Sequence, residues 1–101
     1  MSDLAGRGPL GQKPQKAKRA PDHMARVARL PCVICGAWPV EVHHLICGRF
    51  GQRRAADTDT IPLCYEHHRG QSGIHASKQA WVALHGPDTD YLPVVAELLS
   101  L

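Results

Sequence analysis

No apolar stretch follows Met1, and no run approaches the ~20 residues that a membrane-spanning helix needs. The expectation is a cytoplasmic chain with no membrane partner, in a compartment that keeps thiols reduced. Apolar side chains are nearly missing from residues 1–22, a Gly-, Pro-, Lys-, Gln- and Ala-rich segment. Such a segment cannot bury enough surface to offset its ordering entropy, which predicts a disordered basic tail. Acid is scarce in the middle of the chain: from His23 to Ala56, Glu41 alone faces Arg26, Arg29, Arg49, Arg53 and Arg54. There is no internal repeat and no pattern for a base-reading helix, so any nucleic-acid contact is expected to show weak sequence preference.

What is present fits one domain over 23–101 of the 101 residues. A core of roughly 80 residues is marginal and often needs a staple. Four cysteines could supply disulfides or a metal site, and reduced thiols favour the metal. The net charge of +3 divides into a basic front and an acidic rear, as suits a surface that meets a polyanion on one side. The tail is then either a non-specific DNA-contacting arm or a solubilising segment.

Local patterns give the element order helix, knuckle, β-hairpin and three helices. Asp22 is placed to cap a helix over 23–30, with Met24, Val27 and Leu30 on one face and Pro31 as its stop. Pro31 to Gly36 reads as a knuckle. Strands are expected over 40–46 and 60–63, a helix that begins near Cys64 or Tyr65 and yields at Gly70, and another from the Ser77 cap to about His85 with Ala80, Trp81 and Leu84 inward. Pro93 suits the first turn of a last helix over 94–101, striped by Val95, Leu98 and Leu99.

Two sets of chemically active residues stand out. Cys32 and Cys35 at i, i+3, with Cys64 and His67 at the same spacing, form the two halves of a tetrahedral zinc site that would clamp the chain on either side of the hairpin. His68, at i+4 from Cys64, is also sterically able to be the fourth ligand. Left over are His43, His44, His68 and an acid from the hairpin. Neighbours on a strand point to opposite sides, so His43 and His44 should do different jobs. Phosphodiester hydrolysis needs a base for water and a cation at the phosphate, which two strand imidazoles and one helix imidazole can share. Arg49, Arg53 and Arg54 lie between base and acid, where phosphate contacts are expected.

These motifs together, LPCVICG, EVHHL, TIPLC-x-x-HH and a following His75, resemble the HNH nucleases of the ββα-metal fold over residues 25–86. They are most similar to small phage and prophage HNH proteins, a group that includes recombination-enhancing nucleases. The resemblance implies an α+β, zinc-stapled ββα-metal domain with flanking helices. It implies a metal-dependent endonuclease acting on DNA, with a recombinase filament as a candidate partner. Carried over by position, His44 is the general base, and His43 and His68 are ligands of one catalytic divalent metal. His43 stands where the family often has aspartate. Asp59 falls at the usual asparagine position that orients the base, while the phage group tends to place an aspartate where Asp57 stands. His75 is a third ligand, a phosphate contact or a surface residue. Imidazole ligands favour Mn2+, Ni2+, Co2+ or Zn2+ over Mg2+. The rival reading is a non-catalytic zinc-knuckle module that binds nucleic acid, which has no use for His43, His44 and His68 together.

Overall fold

Proline sets where the first helix begins. The computed structural model describes residues 19–48 and 54–101. In it α1 spans Pro21–Val27, with Pro21 in the first turn, where its missing N–H costs nothing. The helix thus starts two residues before the expected position, and Asp22 lies in its first turn instead of capping it with its side chain. Its expected last turn tightens into i→i−3 bonds, Arg29 N to Arg26 O at 3.2 Å and Leu30 N to Val27 O at 3.0 Å. Pro31 disfavours α geometry for the residue before it, which accounts for the tightening.

The knuckle follows. Cys32 N donates to Ala37 O at 2.9 Å and Gly36 N to Cys32 O at 2.8 Å, and Gly36 takes a left-handed φ of 78° to close the turn. Val33 N then reaches Pro62 O at 3.1 Å and ties the knuckle to the hairpin.

The hairpin is β1, Glu41–His44, antiparallel to β2, Thr60–Leu63, with His43 opposite Ile61 and His44 opposite Thr60. β2 lies where the sequence places it. β1 is shorter than the expected 40–46, for a chemical reason: the N–H groups of Ile46 and Cys47 donate to the Asp88 carboxylate, at 2.8 and 3.1 Å, instead of continuing the ladder.

Helix α2, Tyr65–His68, is one turn, and the loop after it folds back on it. Ile74 N donates to His67 O and His75 N to His68 O, each at 3.1 Å. That return passes so close that a Cβ on Gly73 would sit 2.6 Å from the His68 carbonyl group. Only glycine fits there, and the close passage is what brings His75 beside α2.

Helix α3, Lys78–His85, carries the expected cap, with the Ser77 hydroxyl accepting from Ala80 N at 3.2 Å. Its inward face differs from expectation. Trp81 is buried, but Leu84 is 80% exposed and Ala80 is exposed. The helix is rotated by its anchor: Trp81 Nε1 donates to His67 O at 3.1 Å, and Val82 and His85, not Leu84, are the partly buried neighbours.

A 3-10 turn unanticipated from sequence, Asp88–Tyr91, leads directly into α4, Leu92–Leu99, so this last helix starts two residues before the expected 94–101. Val95 is its buried residue, and Arg26 Nη2 caps its end by donating to Leu99 O at 2.9 Å. The result is a small α+β unit around Val27, Leu45, Ile61, Leu63, Ile74, Trp81 and Val95, with Cys32 and Cys64 at the edge of that core. No helix among the described residues is long and apolar enough to cross a membrane.

Candidate metal centres and a histidine–aspartate pair

All four cysteines are free thiols. Three of them, Cys32, Cys35 and Cys64, place their sulfurs with a ring nitrogen of His67 all within 4.8 Å of one another, close enough to hold a metal ion such as zinc. Cys64 Sγ lies 3.8 Å from Cys35 Sγ and 3.3 Å from His67 Nδ1. Burial pushes the Cys32 thiol up, but N–H groups of Cys64, Cys35 and Ile34 outweigh it, so its pKa is lowered towards the thiolate that a metal needs. Cys47 stands outside this group.

His68 faces elsewhere. Its ring nitrogen groups with those of His43 and His75, again within 4.8 Å, and the three ring centroids lie 4.8–5.2 Å apart. One turn of helix therefore divides its adjacent histidines between two clusters, His67 to the thiols and His68 to the imidazoles. His43 is buried at 1% exposure; its Nε2 meets Asp88 Oδ2 at 2.9 Å. Its Nδ1 is buried without a hydrogen-bond partner among the described residues, a donor atom that a cation in this cluster would satisfy. Neutral imidazoles at this spacing fit a first-row transition ion.

His44, one residue on, turns away as strand alternation requires. Its Nε2 meets Asp57 Oδ1 at 2.9 Å, and Arg54 Nη2 lies 3.3 Å from its Nδ1 and 3.2 Å from its Nε2, so the cation stands across the ring. Asp59 is not the carboxylate on His44; it meets β1 through its backbone, accepting from Leu45 N at 3.1 Å. The other oxygen of Asp57 accepts from Ala20 N at 2.9 Å, so the chain enters the fold beside this pair. Residues 1–18, and with them most of the basic tail, lie outside the described residues, as do Arg49 and Arg53. Val42, His43, His44, Ile46, Arg54, His68 and His75 line one open cleft of about 400 Å³.

Two acids of this region were not singled out from sequence as site residues. Glu41 Oε1 accepts from His68 Nδ1 at 2.7 Å while Arg69 pairs with the same carboxylate. Arg69 first, then His68, hold Glu41 down to about 2. Burial pushes the His68 imidazolium towards losing its proton, against the pull of Glu41, and its pKa is lowered. Glu41 was discoverable, being two residues before His43 on the same strand face. Asp88 was not: it lies 45 residues from His43, and nothing local marks it. Burial raises the Asp88 pKa, but His43 and the N–H groups of Ile46 and Cys47 outweigh it and keep the carboxylate ionised.

His44, followed by Ala20 N–H, lowers the Asp57 pKa. A depressed folded pKa contributes stability above the unfolded carboxylate value of about 3.9, and that contribution is lost as pH falls through the lower folded value. Asp57→Asn should therefore melt below wild type at neutral pH, with the gap closing under acid below about pH 4. A gap of the same size at every pH would show that the Asp57 charge contributes nothing.

No curated protein and no solved structure matches the chain. A family does: residues 11–98 match the model of a family described as a protein of unknown function, DUF968, and the chain belongs to that family.

Proposed function

We propose that this protein is a metal-dependent endonuclease of the HNH type that hydrolyses phosphodiester bonds in DNA. One observation supports it above the others: His44, which pairs with Asp57, and the His43, His68, His75 cluster border a single cleft, and neither is needed by the Cys32, Cys35, Cys64, His67 group. A folding module stapled by one zinc has no use for this second set.

In the proposed reaction the Asp57 carboxylate accepts from His44 Nε2–H and so leaves the lone pair on Nδ1. Nδ1 takes the proton of the attacking water. Arg54, exposed and beside that nitrogen, moves to a phosphate oxygen when substrate enters, which uncovers the base. A divalent cation on His43, His68 and His75 would supply Lewis-acid stabilisation of charge at the phosphate and the leaving oxygen. The family resemblance implies 5′-phosphate and 3′-hydroxyl ends.

A plasmid-nicking assay across a panel of divalent metals tests the reading. Wild type should nick, and His44→Ala should be slower by about 10²–10⁴-fold while still folded, the usual worth of a general base. Equal rates would remove His44 from the chemistry. DNA binding without nicking under every metal would leave a non-catalytic zinc-stapled binding module.

A further inference from the structure

We propose that Asp88 and Glu41 are positioning residues that preset the tautomers of His43 and His68, making His43, His68 and His75 a preorganised three-imidazole site for a transition-metal ion. The proposal rests on the metal-site half of the reading above and is independent of whether the protein cleaves DNA.

A neutral imidazole has one N–H and one lone pair, and only the lone pair can bind a cation. Which nitrogen carries it is decided by what the other one touches. At His43 that partner is Asp88, an acceptor-only carboxylate whose two oxygens also receive the N–H groups of Ile46 and Cys47. Such a group cannot donate to His43, so Nε2 must carry the proton and Nδ1 the lone pair. Both side chains are fully buried, and turning the ring over would break the bond between them with no water to replace it. The lone pair on Nδ1 has no protein partner among the described residues, and it belongs to the ring that His68 and His75 approach.

At His68 the polarity is reversed. Glu41 accepts at Nδ1, and its carboxylate is held by Arg69, so Nδ1 carries the proton and Nε2 the lone pair. The two rings therefore offer opposite nitrogens, Nδ1 of His43 on the strand and Nε2 of His68 on the helix turn. Each carboxylate stands behind its imidazole, where it orients the ring and raises the basicity of the nitrogen facing the cluster. The same Asp88 that stops β1 early thus also fastens His43. Its arrival from the 3-10 turn links the far end of the domain to the site.

The test uses the full chain with zinc retained by the thiol group, titrated with Co2+ and followed by calorimetry and by visible absorption, which distinguishes nitrogen from thiolate coordination. Wild type should bind one Co2+ beyond the zinc. Asp88→Asn and Glu41→Gln should each weaken that binding by about 10–100-fold with the zinc content unchanged. Before Co2+ is added, long-range proton–nitrogen NMR correlations should report His43 as the Nε2–H tautomer and His68 as the Nδ1–H tautomer. If Asp88→Asn fails to fold, Glu41→Gln, on a partly exposed carboxylate, and the wild-type tautomers decide the matter. Wild-type affinity in folded variants, the reverse tautomers, or no second metal in wild type would each overturn the proposal. Co2+ binding that depends on the carboxylates in a protein that nicks no DNA would sustain it while sinking the nuclease reading.

Discussion

His67→Ala is expected to lose its metal and unfold at room temperature, while its neighbour variant His68→Ala keeps the metal, melts near wild type and, under the proposed function, loses cleavage. The first outcome follows from scale. Structural zinc contributes about 10–16 kcal/mol in small modules, comparable to or above the about 5–15 kcal/mol that holds a whole domain folded. A variant that no longer holds the ion forfeits that contribution, and little else is available to a core bounded by Val27, Ile61, Leu63 and Trp81. The carbonyl of His67 also accepts from Ile74 N and Trp81 Nε1, so displacing this turn disturbs α3 as well. His68 has no such duty towards the thiols; its ring meets Glu41, His43 and His75. Zinc content per chain and thermal melts of both variants make the comparison. Zinc released from His68→Ala but kept by His67→Ala would reverse the assignment.

The second large effect concerns the choice of catalytic metal under the proposed function. At matched low millimolar concentrations, nicking with Mn2+, Ni2+ or Co2+ should exceed nicking with Mg2+ by at least about tenfold. Magnesium dehydrates reluctantly and prefers oxygen ligands, whereas the cluster offers three imidazole nitrogens. A carboxylate at position 43 should restore magnesium, but the structure complicates the obvious variant. Asp88 lies 2.9 Å from His43 in a fully buried pair, so His43→Asp alone would set two carboxylates against each other and favour a shared proton. The double variant His43→Asp with Asp88→Asn removes that repulsion and is the one expected to shift preference towards Mg2+. Wild-type rates with Mg2+ equal to those with Mn2+ or Ni2+ would sink the argument.

Spacing along the chain was enough for several features that depend on neighbours. The i, i+3 repeats Cys32, Cys35 and Cys64, His67 marked the metal group that the fold brings together. Ser77 marked the start of α3, and the apolar run before Cys64 marked β2. Alternation along β1 sent His43 and His44 to different partners, though both still border one cleft.

Spacing could not choose between alternatives that local geometry treats alike. His67 and His68 are both within reach of Cys64 on a helix, and only the approach of the knuckle on one side and of β1 on the other divides them. Asp57 and Asp59, two residues apart, look equivalent as extended chain. The turn closed by Asp59 N to Ala56 O and Thr60 Oγ1 to Asp57 O sends the first to His44 and leaves the second in the backbone ladder. Leu84 completes an apolar stripe on paper, yet the indole hydrogen bond to His67 rotates α3 and leaves it in water.

By itself, then, the sequence determined which residues can bind a metal, because ligand chemistry and helical or strand spacing are local properties. Only the tertiary structure decided which nitrogen each imidazole presents, because that depends on Asp88 and Glu41, carboxylates 45 and 27 residues away from the rings they hold. A hydrogen-bond partner at that distance is set by how the whole chain packs, and no local pattern encodes it.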